Sequence, residues 1–144
     1  MTNIKLSKIH ELLNDEMEMS SLLLGEEKNQ FILIGLEDED SKLRLLYTID
    51  ITDFWLDITC RDIFKEDVEV SILDEEFLNT LKKINNENSM LINGKMYLEK
   101  SEKNWKIQYS SSLNLNEVTS EKYILNFIDH SFSTSSYSME NILK

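Results

Sequence analysis

His10, His130, Cys60 and the acidic run Glu37, Asp38, Glu39, Asp40 are the side chains through which this chain could do chemistry. A metal centre needs several His, Cys or carboxylate ligands converging on one ion. Neither histidine has a second histidine one helical turn away, nor a Cys-x-x-Cys pair nearby, so each reads as a surface or boundary residue of a helix. A single cysteine excludes an intramolecular disulfide and a zinc cluster of cysteines. Cys60, at the end of FWLDITC, reads as a small buried residue. The EDED run has the charge of a cation loop, but lacks the alternating ligands, central glycine and closing glutamate of an EF-hand. It reads as a solvated turn. With 27 acidic residues, no pair can be singled out as general acid and base. Gly25, Gly35 and Gly94 are too far apart to form a phosphate-cradling loop, and Asn93-Gly94 suits a strand bend. The expectation is a binding protein rather than an enzyme, with no metal or cofactor.

Composition narrows the kind of partner. A chain of 144 residues, 41% hydrophobic and 29% charged, fits a single globular domain over 1–144. No apolar run approaches the roughly 20 residues that cross a bilayer, and MTNIKLSKIHELLNDEMEM turns acidic before a signal-peptide core could form. A cytoplasmic location is the expectation. The net charge of −12 opposes nucleic acid and anionic membranes as ligands, because phosphate binding needs clustered Lys and Arg. Two readings of the acidity stay open: solubility through self-repulsion, or a negative face for a basic partner.

The elements that would position these residues follow from hydrophobic spacing. Leu6, Ile9, Leu13 and Met17 recur at helical intervals, with Leu12 widening the stripe and Asn3 available as a cap. QFILIGL and KLRLLYTIDI read as strands around an acidic turn, although the continuous apolar run of the first hides which side is which. DFWLDITCRDIF is a third strand, with Phe54, Leu56 and Ile58 alternating against Trp55, Asp57 and Thr59. A second helix follows, with Asp74 as cap and Leu73, Phe77, Leu78, Leu81 and Ile84 on one face, ending in NNENS. Two more strands, near 90–99 and 105–110, lead to a last helix capped by Asn116 or Thr119. The serine-rich SFSTSSYS crosses its apolar face, so a bend, fraying or a stop is expected there. The fold expected is α+β, ordered α-β-β-β-α-β-β-α, with a curved, mostly antiparallel sheet covered by helices.

FLNTLKKINNENSMLINGKMYLEK, followed by NWKIQYSSSLNLNEVTSEKYILNFIDHSF, resembles the second half of the class I type III secretion chaperones and the related YbjN-type proteins. The common run is a leucine-rich helix ending in Asn, strand, turn, strand, short segment and long final helix. Ile84-Asn85 stands where that family has its typical Leu-Asn helix end. The KSEKN turn lacks the glycine often found there, and the serine-rich stretch of the last helix is unusual. The resemblance implies a homodimer, with Phe77, Leu78, Leu81 and Ile84 at the subunit contact. It also implies that Leu6, Ile9, Leu13, Phe31 and Leu33 hold an extended segment of a secreted effector. Each of these also fits its own chain's core. An acidic immunity protein that neutralises a basic toxin or nuclease is the second reading, from the charge and from LNDEMEM, LEDED and LDEEF.

Overall fold

Period-two alternation in four strands builds one apolar sheet face, and three helices cover it. The computed structural model describes residues 4–26, 28–37, 44–62, 68–69, 75–91, 93–100, 104–117 and 120–143. The helices are α1 (Leu6–Asp15), α2 (Glu75–Met90) and α3 (Glu121–Leu143). The strands are β1 (Leu22–Leu24), β2 (Phe31–Glu37), β3 (Arg44–Thr52), β4 (Trp55–Asp62), β5 (Val68–Glu69), β6 (Lys95–Lys100) and β7 (Asn104–Asn114), with a single 3-10 turn at Leu115–Glu117.

The strands form one sheet, entirely antiparallel in its pairings, running β1-β2-β3-β4-β7. Trp105 of β7 pairs with both Val68 and Lys100, so β5 and β6 flank β7 on opposite sides. Register aligns the core: Ile32 lies opposite Ile49, Ile34 opposite Tyr47, Ile49 opposite Ile58, Cys60 opposite Tyr109 and Met96 opposite Tyr109. These side chains join Leu6, Ile9 and Leu13 of α1, Ile84 of α2 and Ile124, Ile128, Phe132, Met139 and Ile142 of α3 in one cluster. Each fully buried Ile or Leu contributes about 1.5–3 kcal/mol from removing its apolar surface from water.

The α+β architecture and element order match expectation, with two short strands added. β1 and β5 are too short to carry a periodic signal. Three further differences have physical causes. NNENS does not end α2, which continues to Met90, so Ile84-Asn85 is not its terminus. Asn88 holds that last turn down: its Nδ2 donates to Met96 O at 2.8 Å and its Oδ1 accepts from Met96 N at 2.7 Å. α3 is capped by Ser120, whose Oγ accepts from Tyr123 N at 3.2 Å, whereas Asn116 lies in the preceding 3-10 turn. Asn3, Leu73, Asp74 and Thr119, assigned to helix starts from sequence, lie outside the described residues.

α3 also runs unbroken through SFSTSSYS. Ser131, Ser135 and Ser138 recur at helical spacing on its inner side and are buried. Their hydroxyls bond outward to other elements instead of competing for the helix backbone alone. Ser131 Oγ lies 3.1 Å from Ser111 Oγ, Ser135 Oγ 2.5 Å from Tyr47 OH, and Ser138 Oγ donates to Glu87 at 3.3 Å. A buried serine with a partner is tolerated, and small side chains let the helix lie close on the sheet.

Candidate protein-binding face

The family resemblance implied five effector-binding residues, and the fold divides them. Leu6, Ile9 and Leu13 are buried beneath α1 in the core, so they present no surface to a partner. The stripe at helical spacing is the face a helix turns towards its own sheet, and that burial overrides the expectation. Phe31 and Leu33 point the other way. Within β2 the even positions Ile32 and Ile34 enter the core, and Phe31, Leu33 and Gly35 emerge on the opposite side of the sheet.

The outer side of the sheet carries a contiguous apolar patch at one end. Leu24 lies opposite Phe31, Leu22 opposite Leu33, and Leu46 opposite Gly35. Residues paired in register share a face, so Leu22, Leu24, Phe31, Leu33 and Leu46 form a cluster of their own. None of the five belongs to the core or to the partly buried shell packed against it. Leu22 is 58% exposed and Leu24 37%. At Gly35 an added Cβ would meet nothing within 4 Å, so the patch has a hollow in its floor. Towards β7 the same face turns polar, through Thr48, Thr59, Ser110, Ser112 and Arg61. Asp50 and Asp57 stand opposite each other there, and Ser112 Oγ donates to Asp57 at 2.5 Å. Burial, and then the neighbouring Asp57 charge, raises the Asp50 carboxyl above its ordinary range.

The patch adjoins a free backbone edge. Among the described residues β1 pairs only with β2, which leaves its other side without a ladder there. Local chemistry fixes this edge at both ends. Ser21, just before it, donates its N–H to Asn14 Oδ1 at 3.2 Å and places its hydroxyl 2.7 Å from His10 Nδ1. Asn14 Nδ2 in turn donates to His10 O at 3.0 Å. His10 is therefore a half-buried tether between α1 and β1. After the strand, Gly25 takes φ +89, and a Cβ there would lie 2.4 Å from Asn29 O. Only glycine makes that turn without strain. The opposite edge, β6, begins and ends in lysine and exposes Lys95, Tyr97 and Glu99, a charged guard that β1 lacks. Tyr97 OH donates to Gln108, and Gln108 donates to Glu99, so this edge is tied into a polar network.

Among the described residues, no group of three His, Cys, Asp or Glu side chains converges as a metal ion requires. Also among them, no helix is long and apolar enough to cross a membrane. His130 is exposed on α3, its Nε2 3.4 Å from Thr134 Oγ1, and Cys60 is buried in the core. Of the four residues expected at a subunit contact, Leu78 is exposed, Leu81 is half-buried and Ile84 packs within the chain's own core. The side chain of Phe77 lies outside the described residues, as does the acidic turn over 38–43.

No protein-family model matches the chain, and no curated protein matches it in sequence. Among solved structures it is similar to YbjN from E. coli, a candidate transcription regulator, with a TM-score of 0.69 over 99% of this chain and 92% of that one. The fold is of the YbjN type. At 16% identity the likeness to YbjN extends to the fold alone. Among the described residues of this chain the helices pack on the other side of the sheet, and the side they leave holds the apolar patch. Phe31 and Leu33, named as effector-binding candidates by the resemblance, lie on this patch, and Leu22, Leu24 and Leu46 were not named from sequence. The available signal was LLL ahead of a glycine, a run of leucines too short for a helix and bounded by a turn residue.

Proposed function

We propose that this is a non-enzymatic binding protein that takes an extended segment of a partner protein along β1. The observation that carries the reading is the contiguity of a free, pinned strand edge with the outward patch of Leu22, Leu24, Phe31, Leu33 and Leu46. Strand addition supplies affinity through main-chain hydrogen bonds, and alternate side chains of the added strand select the sequence. The hollow over Gly35 would receive one such side chain. On this reading the protein serves as a chaperone in the cytoplasm, for a client such as a secreted effector, and −12 keeps the complex soluble. It acts as a homodimer through α2, a reading supported by exposed Leu78 and half-buried Leu81.

The test is calorimetric titration with blocked twelve-residue peptides that alternate valine with serine or with lysine. Leu22→Asp, at an exposed position, should abolish binding while circular dichroism stays unchanged. A folded Leu22→Asp protein that binds as well as the parent would falsify the strand-addition reading.

The net charge favours a second reading, an acidic inhibitor of a basic toxin. The two part on salt. Apolar strand addition persists at about 1 M salt, where the Debye length is about 3 Å, and charge-steered inhibition collapses there.

A further inference from the structure

We propose that the groove between the C-terminal end of α1 and the first turns of α3 is a docking site for a basic amphipathic helix of a partner protein. The groove has a volume of about 620 Å³. It lies on the helical side of the molecule and rests on no part of the strand-addition reading.

Its apolar surface comes from Leu12, Met17, Met19 and Leu125. The two methionines pack against the core from the segment after α1, but Leu12 and Leu125 belong neither to the core cluster nor to the shell around it. Glu18 separates the methionines with φ 53, a left-handed conformation uncommon outside glycine. Its own side chain is exposed there while both thioethers are half-buried. Methionine is unbranched and polarizable, so it adapts to apolar guests of different shape.

Charge sets the sign of the guest. Among the lining residues, exposed Glu16, Glu121 and Asp129 stand against one cation, Lys122. α1 also ends in Asp15 and Glu16, with no basic residue in its last turn. A helix C-terminus carries partial negative charge, so carboxylates are disfavoured there and a cation is favoured. A lysine or arginine of the guest supplies that cation, and an acidic guest is repelled.

Backbone chemistry sets the guest's conformation. The walls are helices, whose main-chain groups bond within themselves, so an extended guest finds no ladder to join. In the bend after α1, Met17 and Met19 already donate their N–H groups to Leu12 O and Leu13 O, at 3.4 and 3.0 Å. A helical guest satisfies its own backbone and presents apolar anchors at intervals of three and four residues. Lys122, Leu125, Asn126 and Asp129 follow the same spacing, so the α3 wall is one face of that helix.

The experiment titrates the full chain, by fluorescence anisotropy, with a labelled and blocked peptide of about sixteen residues, long enough to form a helix, with leucine at helical spacing and lysine elsewhere. One control replaces every lysine by glutamate, and another keeps the composition but scrambles the leucine spacing. The basic peptide should saturate and gain helical circular dichroism on binding, and each control should bind about tenfold more weakly or worse. Glu16→Lys puts a cation where the end of α1 favours one, so it should hold or raise Tm while weakening binding severalfold. Glu26→Lys makes the same charge change at an exposed position outside the groove and should leave affinity nearly unchanged. Leu125→Gln, at a half-buried position outside the core cluster, should weaken binding severalfold, and Glu16→Lys carries the test if that variant is unstable. Leu22→Asp, which blocks the β1 edge, should have no effect, so the two readings fail separately. The proposal is overturned if the basic peptide does not saturate or gains no helix, if either control binds equally, or if Glu16→Lys or a folded Leu125→Gln binds like the parent. Equal weakening by Glu26→Lys and Glu16→Lys also overturns it, because the attraction would then belong to the net charge of −12 alone.

Discussion

Tyr47 OH sits 2.5 Å from Ser135 Oγ, joining the centre of the sheet to the middle of α3 across 88 residues of sequence. Phe132 O lies 3.2 Å from Tyr47 OH and 3.1 Å from Ser135 Oγ, so one hydroxyl donates to this carbonyl and the other donates across the pair. The Tyr47 ring packs against the Phe132 ring with centroids 4.4 Å apart. Burial raises the phenol well above its ordinary range, so it stays a neutral donor.

This junction gives a graded expectation. Ser135→Ala removes one hydroxyl but leaves Tyr47 bonded to Phe132 O, and should cost about 1 kcal/mol, roughly 3 °C in Tm. Ser135→Val adds volume to a position with no exposed surface and should cost more, about 1–3 kcal/mol on top. Thermal and urea unfolding of the two variants read the difference, and equal losses would show that the site has room to spare.

Two glycines should respond in opposite directions. Gly94 takes φ +83, and a Cβ there would lie 2.6 Å from Ser110 O and from the Tyr109 ring. Gly94→Ala should therefore destabilise by about 2 kcal/mol or more. Gly35 has open space above it, and valine suits a strand, so Gly35→Val should be neutral or stabilising by up to about 1 kcal/mol. The same variant fills the hollow of the patch and should weaken binding of the valine-containing peptides, which calorimetry measures.

The Asp50–Asp57 pair predicts a dependence of stability on pH. The folded-state pKa of Asp50 is raised above its ordinary 3.8, so the folded state binds the proton more tightly than the unfolded chain. Its contribution therefore becomes more favourable as pH falls through the raised folded value, and is complete below about the ordinary value. Asp50→Asn should raise Tm at pH 7 and lose that advantage near pH 3.5, measured as melting curves of both proteins at the two pH values. An equal offset at both would remove Asp50 from the account.

The sequence disclosed the helices and long strands where one face was apolar and the other polar. The stripe of Leu6, Ile9 and Leu13 is legible for that reason, and its burial follows from the sheet it meets. β2 is not legible in the same way. Phe31, Ile32, Leu33 and Ile34 are apolar on both sides, and only pairing with β3 shows that the isoleucines enter the core. The open patch was half-visible for the same reason. α3 was misjudged because serine propensity is a local property, and the partners of Ser131, Ser135 and Ser138 lie 20, 88 and 51 residues away. The amide-rich end of α2 was misjudged likewise, through Asn88 and its bonds to Met96.

The serine stripe of α3 has a consequence for the order in which the molecule assembles. Local propensity through the stripe is weak, and what holds it is contributed by β3, β7 and α2. The middle of the helix therefore gains its order on docking, after those elements have met. The earliest pairing is then expected in the sheet, where the tight β3–β4 connection at Asp53 and Phe54 joins strands that pair from Leu45–Asp62 to Thr52–Trp55. In native-state hydrogen exchange, amides around Ser131 to Ser138 should open together with the sheet core rather than fray residue by residue. A chain arrested before α3 docks would bare the inner face over β4 and β7, while α1 still covers it at β1 and β2.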